Sequence, residues 1–225
     1  MNKLFFTKFF FFVFLFSQSV FAYNLQISSW PDSSIPVEYW VSLNLNGTGT
    51  TQEEIQSANA AANTWSNDAY ADIYLEYQGT NSDYEYYTNN GIKTIMSIFG
   101  GAPLPPQSTT YYGCQLFASG GYTLGFNYGW SNSNGDKLDS QVIICGDALD
   151  PNTGITFPIN WYMGSGTPAF NQMDLQSVIA HELGHLLGLF HSCDYNSSNS
   201  IPDCNDPATS DEVFESTMRS SIPIG

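Results

Sequence analysis

Apolar residues recur along this chain with two periods. Ile55, Ala58, Ala62 and Trp65 return every three to four positions, Thr50 or Thr51 precedes them as a cap, and Glu53 and Glu54 occupy the first turn, so this spacing predicts a helix ending near Trp65. A second stripe of Val178, Ile179, Leu183, Leu186 and Leu187 predicts a helix that starts at Asn171 or Asp174 and runs to Leu187. Elsewhere the pattern alternates or is rich in β-branched and aromatic residues, predicting strands over 37–41, 73–77, 92–98, 122–126 and 141–145. Gly47 and Gly49 break the first strand from the helix, and the Asn- and Gly-rich residues 131–135 separate the last two strands. Pro103, Pro105 and Pro106 make 100–113 a loop, and 147–167 reads as irregular. Strand, helix, three or four strands, then helix predicts an α+β or α/β domain around one twisted mixed sheet.

The length of 225 residues suits one domain, and no shift in composition divides it. Its first residues fall outside that domain. Lys3 and Lys8 give a basic start, 9–16 is an apolar run, and Val20-Phe21-Ala22 offers a small-residue cleavage pattern, so 1–22 reads as a secretory signal and 23–225 as the folded domain. An anchoring helix is the competing reading, but the run is short for a span of ~20 residues and ends in Ser17-Gln18-Ser19. Nothing later is long and apolar enough to cross a bilayer, so the expectation is an extracellular, soluble monomer without membrane contact after processing.

Removing the signal takes two of the five basic residues and leaves Lys93, Lys137 and Arg219 against 21 acidic side chains. Such a surface repels nucleic acid and anionic membranes and excludes them as partners, while drawing in cations or basic substrates. Four cysteines in an exported chain imply two disulfides. Their spacing suggests Cys114 with Cys145 and Cys193 with Cys204, one of three possible pairings.

One stretch carries the chemistry: His181-Glu182-Leu183-Gly184-His185-Leu186-Leu187-Gly188-Leu189-Phe190-His191. Residues four apart on a helix lie one above the other, so His181 and His185 present two imidazoles to one point. Gly188 can take the positive φ that ends the helix and turns the chain, bringing His191 back as a third ligand. Three neutral imidazoles hold zinc with one position open, the arrangement of a catalytic site. Glu182 is one step round from His181, misplaced as a ligand but within reach of a water on the metal, and so is the candidate general base. These are the chain's only 3 histidines, which weighs against an ordinary amphipathic helix that happens to contain them.

With Met218 in Glu215-Ser216-Thr217-Met218-Arg219 downstream, this motif resembles the zinc signature and Met-turn of the metzincin metalloproteases. Leu189 and Ser192 make it similar to the bacterial-type matrixin branch, and Trp30 to Trp40, the helix ending at Trp65 and Ser177 to Ala180 agree more loosely. The resemblance implies a metzincin-like catalytic domain with a five-stranded mixed sheet, two main helices and a short C-terminal subdomain in which Met218 packs beneath the metal without binding it. It also implies an edge strand that pairs with extended substrate, for which 122–126 is the candidate. Three departures stand beside it. No cysteine-bearing propeptide motif lies between Ala22 and the first strand, so thiol latency is not expected. Ser220 stands where some metzincins have a tyrosine ligand. Few residues follow Met218, so either the C-terminal subdomain is minimal or the chain stops short of the family's further helix.

The expected function is therefore that of a secreted zinc-dependent endopeptidase acting on extracellular proteins or peptides. Two other readings compete: an inactive zinc-binding recognition module, against which Glu182 argues because a retired site has no need of it, and a zinc hydrolase of cell-wall peptide amides. The Asn- and Asp-rich stretches 132–139 and 194–206 carry oxygen ligands of the kind calcium takes, and are calcium candidates against the plainer reading of solvated turns.

Overall fold

The computed structural model describes residues 24–25, 28–47, 49–67, 73–81, 89–98, 114, 122–193, 204 and 217–218. The expected signal peptide, the proline-rich loop and nearly all of 194–225 lie outside these residues. Five strands form one sheet: β1 (Val37–Ser42), β2 (Leu75–Thr80), β3 (Thr94–Ile98), β4 (Gly125–Ser131) and β5 (Lys137–Cys145), in spatial order β2-β1-β3-β5-β4. β1 runs parallel to β2 and β3, and β3 parallel to β5, whereas β4 is antiparallel to β5 at the sheet edge. Helix α1 (Gln52–Ser66) is the crossover that parallel pairing of β1 and β2 requires, and helix α2 (Leu175–Leu187) follows the sheet. The mixed sheet with two helices is the architecture that the sequence pattern predicts.

Both helices cover the same face. Val37, Tyr39 and Val41 of β1, Ile95 of β3 and Val142 and Ile144 of β5 pack with Ala58, Ala61 and Ala62 of α1 and Val178, Ile179, Leu183 and Leu186 of α2. The alternate residues Met96, Ile143 and Cys145 face the other way, onto Cys114, Ile159 and Met173. β5 is buried on both faces, which is why 142–145 reads as an unbroken apolar run. Burial of each Leu, Ile or Val contributes roughly 1.5–3 kcal/mol.

The elements start where local chemistry lets them. Thr51 Oγ1 accepts from the Glu54 amide and Glu54 Oε2 accepts from the Thr51 amide, a reciprocal capping box that begins α1. Glu54 is buried, and its other oxygen accepts from the Leu45 amide at 2.8 Å. Asp174, one of the two expected starts, caps α2 by accepting from the Ser177 amide.

Three expectations need correction. The second strand is Leu75–Thr80 rather than 73–77, because its extent is set by pairing with β1, and the exposed Tyr74 precedes the pairing. The edge strand is Gly125–Ser131 rather than 122–126: polar Asn127 and Ser131 pair with β5 across a tight hairpin, while the aromatic Tyr122 that suggested an earlier start lies outside the strand. Within 147–167, Asp147–Leu149 pairs with Thr156–Pro158, and Trp161–Tyr162 runs parallel to Met173–Asp174. Strands of two or three residues are fixed by contacts such as Trp161 Nε1 donating to the Cys145 carbonyl at 2.9 Å, which leave no period to read.

The disulfides are Cys114–Cys145 and Cys193–Cys204, as the spacing suggested. Among the described residues, no helix is long and apolar enough to cross a membrane.

Candidate metal centre

The final turns of α2 carry His181 and His185 on one face, as the helical pitch requires. Gly188, at φ 104°, then ends the helix in the left-handed conformation, and Leu189–Phe190 pairs antiparallel with Asn24–Leu25 before the chain reaches His191. The result brings all three rings together. His191 Nε2 stands 3.3 Å from His181 Nε2 and 3.2 Å from His185 Nε2. The ligand atoms of the three residues all lie within 4.8 Å of one another.

The remaining ring nitrogens explain why these atoms converge. His181 Nδ1 donates to the Thr217 carbonyl and His185 Nδ1 to the Leu189 carbonyl, each at 2.7 Å. A carbonyl only accepts, so the proton sits on Nδ1 and the Nε2 lone pair is free. Burial first, and neighbouring positive charge as well, hold His181 down to about 3 and His185 to about 4, so both rings stay neutral at physiological pH. The free Nε2 lone pairs of His181 and His185 both face His191 Nε2, at 3.3 and 3.2 Å. A tetrahedral zinc with Zn–N distances of ~2.0–2.1 Å needs nitrogens about 3.3 Å apart, so the donor set and its spacing fit zinc.

Glu182 follows His181 on α2. It is buried, and its Oε2 has no hydrogen-bond partner. Burial pushes its carboxyl up to about 8. Leaving a buried carboxyl oxygen without a partner is costly, and a carboxyl perturbed in this way is a candidate for proton transfer. Gly125, the first residue of β4, lies against it: a Cβ there would come within 3.2 Å of Glu182 Cγ.

Met218 is fully buried against α2. A Cβ on Gly184 would fall 2.1 Å from Met218 Sδ, so the glycine inside the helix, which costs about 1 kcal/mol relative to alanine, is there for close approach. The backbone around Met218 serves both sides of the site. The Thr217 carbonyl orients His181, and the Met218 carbonyl accepts from the Ser192 amide at 2.7 Å, one residue beyond His191.

The matrixin family model matches residues 51–201, about two thirds of the chain. The chain belongs to the matrixin family. It is also 32% identical over 85 residues to Metalloendoproteinase 2-MMP of Arabidopsis thaliana, a match covering 35% of this chain and 22% of that protein's length. The family implies zinc, and the three histidines of this matrixin give it a place.

Sequence reasoning left several parts of this matrixin's centre without a role. Gly184 was visible within the motif, and a glycine inside a strong helix signals close packing. Thr217 acts through its backbone and has no side-chain signature. Lys137 is buried at the start of β5, and its Nζ donates to the carbonyls of His185 at 2.9 Å and Leu186 at 2.8 Å. Burial lowers its ammonium to about 8. The acidic stretch 132–139 comprises a hairpin turn and the first residues of β5. Asn132 Oδ1 accepts from the Asn134 and Asp136 amides and holds the turn, whereas the Asp139 carboxylate accepts from the Asn90, Gly91 and Ser140 amides and ties β5 to the segment before β3.

Proposed function

We propose that this matrixin is a secreted zinc-dependent endopeptidase in which His181, His185 and His191 hold the metal and Glu182 is the general base. The observation that carries the reading is the convergence of three imidazole nitrogens, with Glu182, the residue after His181, buried and its Oε2 unpartnered. Zinc, when bound, supplies a Lewis acid that polarises the scissile carbonyl and makes water a stronger acid. The chain's own residues do the rest. Nδ1 hydrogen bonds fix the rings of His181 and His185, and Glu182 takes a proton from the attacking water and passes it to the departing amine. β4 is a sheet edge whose first residue, Gly125, lies against Glu182, and main-chain pairing along it would align an extended peptide across the site.

In this reading residues 1–22 are a signal removed on export, 23–225 form the catalytic domain, and the monomer acts on extracellular proteins or peptides. The two disulfides suit an oxidising compartment. At 132–139 the Asn132 and Asp139 side-chain oxygens already accept backbone hydrogen bonds, and the second calcium candidate lies largely outside the described residues. Against an inactive recognition module stands Glu182, whose buried, unpartnered Oε2 has a cost that a catalytic role accounts for. Purified protein incubated with a denatured protein substrate tests the proposal. Cleavage that a chelator abolishes, zinc restores and Glu182→Gln lacks is the expected result; cleavage surviving in Glu182→Gln would place the base elsewhere.

A further inference from the structure

The start of β5 inverts the usual alternation, with Lys137 and Asp139 buried and Leu138 between them 47% exposed. The ladder explains how. Trp130 pairs with Asp139 and Ser131 with Lys137, so one extra residue is accommodated on β5. Paired residues share a face and neighbours on β4 alternate, so the slip puts Lys137 on the opposite face from Asp139 and the other odd-numbered residues of β5. That is the face of Val142 and Ile144, against which α2 packs.

There Lys137 meets the end of α2. Its Nζ donates to the carbonyls of His185 and Leu186, and Trp30 Nε1 donates to the same Leu186 carbonyl at 2.9 Å. The two donors are themselves tied together, since the Lys137 amide donates to the Ser29 carbonyl at 2.8 Å and the Ser29 amide donates to the Gly135 carbonyl at 3.1 Å. The last carbonyls of a helix carry its negative pole; that of His185 is shared with the Gly188 amide at 3.1 Å and that of Leu186 takes both side-chain donors, so a buried ammonium is stabilised there although burying one is otherwise costly. These carbonyls lie between the second imidazole and the turn that returns the third.

We infer that Lys137, supported by Trp30, is a positioning residue for the metal centre, clamping the end of α2 so that His185 and His191 meet one ion at the correct separation. The inference rests on the three-histidine zinc site proposed above. A side chain that only fills space would matter for folding, whereas a clamp on the ligand-bearing turn sets the affinity and geometry of the metal.

The test measures zinc affinity by chelator competition, and the visible spectrum of the cobalt-substituted protein, for wild type, Lys137→Met and Val37→Ala. The last alters a core position on β1, a strand that contributes no atom to the site. Partners behind metal ligands typically contribute 10–100-fold in affinity, so Lys137→Met is expected to weaken zinc binding about 10-fold or more and to shift the cobalt bands, with Val37→Ala leaving both at wild type. Wild-type affinity and spectrum in Lys137→Met overturn the inference while leaving the zinc site intact. Failure of the wild type to bind zinc removes the site and the inference together. Should Lys137→Met not fold, Lys137→Arg against Lys137→Gln decides: the arginine, which keeps a cationic donor, is expected to bind zinc at least about five-fold more tightly, and equal affinities overturn the inference.

Discussion

The stretch of α2 from Leu175 to Leu183 is anchored by apolar burial, with Leu175, Val178, Ile179 and Leu183 essentially inaccessible beneath the sheet. From His185 to Ser192 the chain is held, besides the buried Leu186 and Leu189, by hydrogen bonds from Trp30 and Lys137, by the Ser192 amide donating to the Met218 carbonyl, and by pairing with Asn24–Leu25. The difference follows from what each part must do. Apolar packing sets the depth of a helix well but discriminates weakly between small rotations, and a helix with two histidines four apart needs no more. A third ligand beyond the helix end has no such internal ruler, and directional bonds supply one.

The comparison can be broken at each part, and the largest effect is expected in the chemistry. Glu182→Gln should keep zinc and fold while losing at least about 10²–10⁴-fold in peptide hydrolysis, measured as kcat/KM. Leu183→Ala belongs to the apolar part and should cost about 2–5 kcal/mol in a denaturant titration, as buried leucine truncations do. Gly184→Ala tests the contact between helix and Met-turn. Overpacking costs typically about 1–3 kcal/mol, and the loss should be smaller in combination with Met218→Ala, because that truncation removes the atom the new methyl would strike. Opening Cys193–Cys204 by a double serine substitution should cost about 2–4 kcal/mol and act on the directional part, since Cys193 lies two residues beyond His191.

The smallest effect is on pH dependence. An unfolded chain protonates His181 and His185 as the pH falls below the ordinary 6.5, whereas the folded chain refuses those protons down to about 3 and about 4 respectively. The unfolded state therefore binds more protons in that window, and metal-free protein should lose stability as the pH falls from 6.5 towards 4. A calorimetric series across that range checks the sign; stability that stays flat or rises on acidification would show that the rings are not buried as neutral groups.

What could be read from the sequence divides along the same line. Both helices, the cap at Asp174, the turn at Gly188 and the pair His181 and His185 follow from local rules, because helical pitch and the φ of glycine operate within a few residues. The same turn returned His191 as the third ligand, and the family resemblance added Met218. Lys137 did not announce itself, although it is among the few cations in a chain of 21 acidic residues, because its role depends on a one-residue slip in a strand ladder. The edge strand was displaced for a related reason: Phe126, Tyr128 and Trp130 alternate as a strand requires, but Gly125, Asn127, Gly129 and Ser131 between them blur its bounds, which pairing with β5 sets.

X-ray absorption at the zinc edge, on protein loaded with one equivalent of zinc, tests the central claim most directly. Three imidazole nitrogens at ~2.0–2.1 Å and one light-atom ligand in the fourth position is the predicted shell. A sulfur ligand at ~2.3 Å, or a shell unchanged by His191→Ala, would contradict it.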